Sequence, residues 1–314
     1  MKILYFNNCW FTNVGEAFID LGGMELIKKL IPEAKIACIS AMSDYYIMAA
    51  DKKEEQLRWR QRKILRSRQY MPCRMNMFIE ADYVVLPGMV GTAEYLKAAS
   101  RKMIDDLVSR GCRLVLLGLG GYEYSVEEKE KFTRYLDEVK PALVLTRDRE
   151  TYENYRNVAP CVNGIDCAFW VKDVFNPTGF GIAEYDIVAF NRSTEPESFS
   201  SWKYPIIRPW HMQYDYSGMK YKDNILISDT PYDYLTAYAN AHRVYTDLVH
   251  ASIISIMYGV PVKYWYVDKR SMVFDVLDGL ERDEEGWMSL TADKLEKDKN
   301  KVYEESRKIL AREI

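Results

Sequence analysis

Short apolar runs alternate along this chain with longer stretches in which apolar residues recur at helical spacing. Lys2–Phe6, Lys35–Ile39, Asp82–Pro87, Arg113–Leu117, Ala142–Thr146 and Val158–Asn163 read as strands. Between them, Ala17–Leu30 carries Phe18, Leu21, Leu26 and Leu30 at helical period, and Asp51–Tyr70, Thr92–Arg110, Val126–Glu138 and Arg149–Tyr155 also read as helices. Strands that alternate with helices predict a parallel sheet whose carboxyl ends gather along one edge. Residues 175–185, with Asn176-Pro177, read as a linker. A second set follows: Asp186–Phe190, Lys203–Ile207, Asn224–Ser228, Arg243–Thr246 and Val260–Tyr266 as strands, with Pro231–Ala239 as a helix. From Thr291 a charged amphipathic helix carries Leu295, Val302, Ile309 and Leu310 on one side. The pattern predicts a first α/β domain over 1–175, a second over 186–290, and a terminal helix over 291–314.

The stretch from Arg243 to Lys269 shows the strand-turn-helix-strand order most clearly. Thr246 or Asp247 can cap a helix from Leu248 to Tyr258, Gly259 stops it, and the chain resumes as a strand. His250 then lies in the first helical turn, past the carboxyl end of a strand. Free N–H groups and partial positive charge there suit a phosphate or carboxylate, and ligands of open α/β sheets bind at that edge. The competing reading is a buried connecting helix with a satisfied histidine.

Composition narrows the class. A chain of 314 residues exceeds what one ordinary core serves. At 48% hydrophobic and 28% charged it is globular in composition, and its formal charge of −3 argues against a nucleic-acid partner. The six cysteines form no CxxC pair and no zinc spacing, and Cys38 and Cys112 sit in apolar runs, which fits a reducing cytosol. MKILYFNN is too short an apolar run for a signal peptide, and no segment is long enough to cross a bilayer. A cytoplasmic protein is expected. The 24 tyrosines and 7 tryptophans are many, and aromatics line sugar sites as well as cores.

Local chemistry concentrates at predicted strand ends. Asn13-Val14-Gly15-Glu16 reads as a turn where Gly15 lets a ligand approach the backbone. Gly88 and Gly91 follow the third strand, Gly118-Leu119-Gly120-Gly121 the fourth, Arg147-Asp148 the fifth, and Asp166 the sixth. None of these is GxGxxG or a P-loop, so nucleotide binding is unsupported. Arg58 to Arg74 carries Arg58, Arg60, Arg62, Lys63, Arg66, Arg68 and Arg74 with no acidic residue. It reads as a solvated face or as a contact for an anionic lipid carrier or the acidic inner face of a membrane.

The ordered series resembles the polysaccharide pyruvyl transferase family. Asn13-Val14-Gly15-Glu16-Ala17 resembles that family's early asparagine-glycine-aspartate turn, and Ala81–Val85 with Gly88 its strand-to-glycine segment. Leu117-Gly118-Leu119-Gly120 resembles its second glycine turn, and Leu145-Thr146-Arg147-Asp148 its arginine-aspartate segment. Asp247–Val262, with Asp268-Lys269 after it, resembles its R-L-H helix and G-V-P-V strand. The resemblance implies two Rossmann-like domains of parallel sheets facing across a cleft, as in GT-B glycosyltransferases. It implies transfer of a pyruvyl group from phosphoenolpyruvate to a sugar of a cell-surface glycan or its lipid-linked precursor, with no cofactor and no metal. His250 would contact the phosphate and move a proton, and Arg147 would hold the carboxylate or pair with Asp148 or Asp166. Asn13, Gly15, Glu16, Gly88, Gly120, Asp247, Lys269 and Arg270 would complete the donor site.

Two departures stand out. The family's first-turn aspartate is Glu16, and the arginine of its R-L-H triplet is Leu248. Loss of that guanidinium removes a planar, bidentate anion clamp. Arg243, Lys269, Arg270, Arg208 and Arg192 are the candidate replacements. A GT-B-like glycosyltransferase using a sugar nucleotide, and a non-catalytic glycan-assembly protein, are the alternative functions.

Overall fold

The computed structural model describes residues 1–7, 13–40, 75–91, 99–196, 202–211, 223–265 and 269–312. The helix expected over Asp51–Tyr70 and the basic run Arg58–Arg74 lie outside them.

The first half follows the predicted alternation. Strand β1 (Lys2–Asn7) leads into helix α1 (Val14–Leu30), then β2 (Lys35–Ser40), β3 (Tyr83–Pro87) and α2 (Ala99–Ser109). Next come β4 (Arg113–Leu119), α3 (Val126–Val139), β5 (Leu143–Thr146), α4 (Arg149–Tyr155) and β6 (Cys161–Asn163), then the short α5 (Val171–Val174). These strands form one sheet in the order β2-β1-β3-β4-β5-β6, and every pairing is parallel. β3 and β5 are buried along their whole length because helices cover both faces, which is why they read as unbroken apolar runs.

The second half contributes β7 (Asp186–Ala189), β8 (Ile206–Pro209), β9 (Ile225–Leu226), α6 (Pro231–Ala239), β10 (Arg243–Thr246), α7 (Val249–Tyr258) and β11 (Val262–Tyr264). The hairpin strands β12 (Leu280–Arg282) and β13 (Met288–Leu290) and the helix α8 (Ala292–Leu310) end the chain. The sheet order is β12-β13-β11-β10-β7-β8-β9. Its inner part is parallel, but β13 runs antiparallel to β11 and to β12, so this sheet is mixed rather than parallel throughout. The strand expected at Lys203–Ile207 begins only at Ile206 and runs to Pro209.

The two halves share a core. One cluster joins Tyr5, Phe18 and Trp170 with Ile187, Tyr234, Ile254 and Met257. Each such side chain contributes about 1.5–3 kcal/mol when fully buried, so the join is strongly apolar. Helix α8 packs back on α1, β5 and β6 of the first half. Its Lys299, 4% exposed, is held 2.6 Å from Asp173. A second cluster on the opposite face of the first sheet packs Leu4, Leu116, Phe132 and Leu136.

Candidate active site

A cavity of about 180 Å³ lies where the carboxyl ends of both sheets meet. The first sheet sends Asn13 from beyond β1, Gly88 from β3, Gly121, Tyr122 and Tyr124 from β4, Arg147 from β5 and Asp166 from beyond β6. The second sends Arg192 from beyond β7, His211 from β8, Leu248 and His250 from β10, and Arg270 from beyond β11. Parallel connections put every one of these loops on the same edge, so residues far apart in sequence converge.

Helix α1 begins at the cavity. Asn13 is its N-cap: the side-chain Oδ1 accepts from the Gly15 N–H at 3.1 Å. The segment expected as a turn is therefore the first turn of the helix. The Val14 N–H donates to the His211 carbonyl at 3.1 Å, tying this helix end to the second half. Gly15 does not line the cavity; it makes room for His250. A β-carbon at Gly15 would stand 2.7 Å from His250 Nδ1. Gly120 serves Arg147 in the same way, since a β-carbon there would stand 2.5 Å from Nε of Arg147.

Around His250 the charges are coupled. Nε2 of His250 lies 3.8 Å from Asp166 Oδ2, too long for a hydrogen bond, and it has no hydrogen-bond partner among the described residues. Arg147 reaches the same Oδ2 at 3.3 Å, so the partner of Arg147 is Asp166 and not Asp148. Burial pushes the Asp166 carboxyl up, but His250, Arg147 and the Ala168 N–H outweigh that and hold it at about 2. Glu16 goes the other way. Burial raises its pKa and the charge of Asp166 adds to the rise, against the pull of His250 and Arg147.

His211 forms the floor from the second half. It is 2% exposed, and its Nε2 and the Tyr238 hydroxyl share a hydrogen bond of 2.8 Å. Burial, with neighbouring His250 adding to it, lowers its pKa to about 3, so this imidazole is neutral near pH 7. Tyr124 forms part of the wall, in a left-handed conformation at φ 53°, with its hydroxyl donating to Asp148 at 3.1 Å. Sequence reasoning missed Tyr122, Tyr124 and His211 as site residues. Their signal was positional: each lies just past the end of a strand.

The remaining expectations divide. Asn13, Glu16, Gly88, Arg147, His250 and Arg270 all line the cavity. Asp247 does not, and neither it nor Thr246 caps α7. The residue in the cap position is Leu248, which makes no side-chain cap bond, while Thr246 Oγ1 accepts from the Leu248 N–H at 3.0 Å. Asp247 instead takes the backbone N–H groups of Asn191, Arg192 and Ser193 at 3.2, 3.0 and 2.6 Å, which fixes the loop bearing Arg192. Gly259 ends the helix in the left-handed conformation, as expected. Lys269 donates to the Glu123 carbonyl at 2.8 Å and braces the Tyr122–Tyr124 loop instead of lining the cavity.

Of the candidate replacement cations, Arg192 and Arg270 line the cavity. Arg208 is held by Glu195 at 2.7 Å, and Arg243 is bound by Asp186 at the amino end of β10, away from the site. Leu248, 6% exposed, joins the shared core and forms an apolar part of the wall. Among the described residues no three His, Cys, Asp or Glu side chains gather as metal ligands.

Comparison with known proteins agrees with this geometry. A family model described as polysaccharide pyruvyl transferase matches residues 13–262. No curated protein matches. Among solved structures, the S. aureus MnaA–UDP co-structure aligns with a TM-score of 0.52 at 11% identity, covering 98% of this chain and 90% of that one. A Listeria monocytogenes protein assigned as a UDP-N-acetylglucosamine 2-epimerase aligns with a TM-score of 0.50 at 10% identity over 98% and 90% of the two chains. A functionally uncharacterised Klebsiella pneumoniae protein aligns at 0.48 and 13% identity over 87% of each. The first two likenesses show the fold: it is GT-B-like.

Proposed function

Because this chain belongs to the polysaccharide pyruvyl transferase family, a family of transferases, we propose that it moves a pyruvyl group from phosphoenolpyruvate to a sugar of a cell-surface glycan or its lipid-linked precursor. The observation that carries this reading is the convergence of Arg147, Arg192, Arg270 and His250 on one small cavity at the N-terminal end of α1. Phosphoenolpyruvate carries a phosphate and a carboxylate, and both need cations or helix N–H groups. At about 180 Å³ the cavity is below the roughly 300–1,000 Å³ of sites for drug-sized ligands, which suits a small, highly charged anion better than a sugar nucleotide.

The chemistry assigns roles. A proton is added to the methylene carbon of the donor, and a sugar hydroxyl bonds to the central carbon. The carbon–oxygen bond to phosphate breaks and inorganic phosphate leaves. A second hydroxyl of the same sugar then bonds to that carbon, which closes the ketal; the two hydroxyl protons replace the one used at the methylene and the one carried off by phosphate. Arg147 binds the donor carboxylate, and Arg192 and Arg270 supply the charge that the family's arginine would have brought at Leu248. His250, whose Nε2 has no hydrogen-bond partner among the described residues, contacts the phosphate and moves the proton. We place the boundary between an N-terminal domain over 1–175 and a C-terminal one over 186–290 in the segment 175–185, and the enzyme in the cytoplasm.

Thermal melting with added ligand tests the donor. Phosphoenolpyruvate should raise the midpoint while UDP- and CMP-sugars leave it unchanged, because only a ligand of the folded state stabilises it. A rise with a sugar nucleotide alone would make this a glycosyltransferase. No rise with either, together with glycan binding, would make it an assembly protein.

A further inference from the structure

Four consecutive residues beside the candidate active site, Gly121 to Tyr124, are fixed one by one. The Gly121 N–H donates to Thr151 Oγ1 of α4 at 3.0 Å. The N–H groups of Tyr122 and Glu123 donate to the two oxygens of the buried Glu128 carboxylate on α3, at 2.9 and 2.7 Å. Lys269, from the second half of the chain, donates to the Glu123 carbonyl at 2.8 Å. Tyr124 closes the turn at φ 53°, with its hydroxyl donating to Asp148 at 3.1 Å. A non-glycine residue keeps such a φ only where its surroundings over-determine it, and such places gather at ligand sites.

The side chain that this bracing presents is Tyr122. It lines the cavity yet is 58% exposed, so it stands at the mouth, and it is the one exposed aromatic among the described lining residues. Among the described residues its side chain has no hydrogen bond, ring contact or cation contact. Tyr124, two positions on, has its hydroxyl on Asp148 and Lys269 Nζ 5.6 Å from its ring centre. Folding gains little from a ring left as exposed as Tyr122, so the bonds beneath it hold a position rather than a core. The same bonds tie it to the donor side of the cavity. The Gly120 backbone backs the Arg147 guanidinium, the Arg147 N–H donates to the Leu119 carbonyl at 3.0 Å, and Asp148 accepts from both Thr151 and Tyr124. The arginine assigned to the donor carboxylate and the Tyr122 ring thus belong to one hydrogen-bonded unit.

We propose that Tyr122 is the acceptor platform: its ring packs against the C–H face of a terminal pyranose and sets which pair of hydroxyls meets the donor carbon. The proposal rests on the pyruvyl-transfer reading above and names the residue that orients its acceptor. A cavity of about 180 Å³ that holds the donor leaves little room for a pyranose as well, so the sugar presents its hydroxyls from the mouth. Ketal closure brings two hydroxyls of one ring to one carbon, so the plane of the sugar must be fixed and not only its place. A flat aromatic surface fixes that plane, because the C–H face of a pyranose is apolar and its hydroxyls project from the edge. A ring bound at the mouth leaves the rest of the glycan in solvent, which selects the sugar at the end of a chain.

The test uses the full chain, with and without phosphoenolpyruvate, and a panel of methyl pyranosides of glucose, galactose, mannose and N-acetylglucosamine. Binding is followed by saturation-transfer NMR and turnover by phosphate release, in the parent, Tyr122→Ala and Tyr122→Phe. At least one pyranoside should bind, with magnetisation passing mainly to the C–H protons of one ring face. Tyr122→Ala should weaken that binding about tenfold, the size of one aromatic contact, and raise the acceptor KM equally while the donor KM holds. Tyr122→Phe should keep the parent's affinity, since the ring and not the hydroxyl makes the contact. Binding of no pyranoside, equal affinity in the parent and Tyr122→Ala, or a loss in Tyr122→Phe as large as in Tyr122→Ala overturns the proposal. The phosphoenolpyruvate-induced rise in melting point should be the same in all three proteins. Its absence from the parent, with pyranoside binding still dependent on Tyr122, would refute the donor reading alone.

Discussion

Nδ1 of His250, from the second half of the chain, stands 2.7 Å from the point that a β-carbon on Gly15, from the first half, would occupy. The imidazole therefore rests on the bare backbone of the first turn of α1, and its placement depends on glycine there. Gly15→Ala should push the ring out of line, since Cγ and Cβ of His250 are also within 3.0 and 3.1 Å of that point. The expected cost is about 1–3 kcal/mol of stability from overpacking, with turnover falling more than tenfold. Kinetics and denaturant melts on the same preparation check it. Wild-type turnover in Gly15→Ala would show that the contact does not set a position of His250 on which activity depends.

His250→Ala should abolish turnover with only a modest fall in melting temperature. Its side chain is 18% exposed and Nε2 has no hydrogen-bond partner among the described residues, so what folding loses is its share in holding down the Asp166 carboxyl. Loss of general acid–base help is worth about 10²–10⁴-fold in rate. His250→Gln should keep part of the phosphoenolpyruvate binding, because an amide donates a hydrogen bond but does not shuttle a proton. A drop of several degrees in melting temperature, with donor binding intact, would make His250 a structural residue.

Asp166 gives a pH signature. Its folded-state pKa of about 2 lies below the ordinary 3.8, so its charge stabilises the protein above pH 3.8, and that stabilisation is lost as the pH falls through about 2. Asp166→Asn should be less stable than the parent near pH 7 by about 2 kcal/mol, at 1.36 kcal/mol per pH unit, with the gap closing between pH 4 and 2. A gap that persists unchanged at pH 2 would assign the loss to packing.

Glu16 predicts the opposite sign. Its folded-state pKa is raised above 4.5, so the ionised carboxylate destabilises the fold as pH rises above that value. Glu16→Gln should therefore melt higher than the parent at pH 7 and equally at pH 4, while donor turnover falls because a carboxyl beside His250 and Arg147 is lost. Equal melting points across the whole range would show that the carboxyl is not perturbed.

Leu248→Arg should leave the Michaelis constant for phosphoenolpyruvate unchanged, since Arg192 and Arg270 already bring charge to the same cavity. Stability should fall by about 1.5–3 kcal/mol, the worth of a buried leucine. A tighter donor complex would show that the present cations do not fully replace the family's arginine. For the basic run, changing Arg62, Lys63 and Arg66 to glutamate should weaken binding to anionic liposomes and lessen its salt dependence. Unchanged binding would leave that run a solvated surface.

The strand–helix order and the residues past each strand end were legible in the sequence, because periodicity and local turn chemistry depend on neighbours along the chain. Val126–Val139, Arg149–Tyr155 and Pro231–Ala239 form close to where the apolar spacing puts them. His250 and Arg147 were legible as candidates for the same reason: each follows a parallel strand whose carboxyl end must face the ligand edge. What those residues touch was not legible. Asp166 meeting both of them, His211 closing the floor, and Asp247 gripping the Asn191–Ser193 loop instead of capping α7 depend on how two sheets dock through a shared core. That docking is set by long-range packing of side chains such as Phe18, Trp170 and Ile254, which carry the same apolar signal wherever they pack. The antiparallel β13 at the edge of the second sheet was hidden likewise, since a strand of three residues has too short a pattern to reveal its direction.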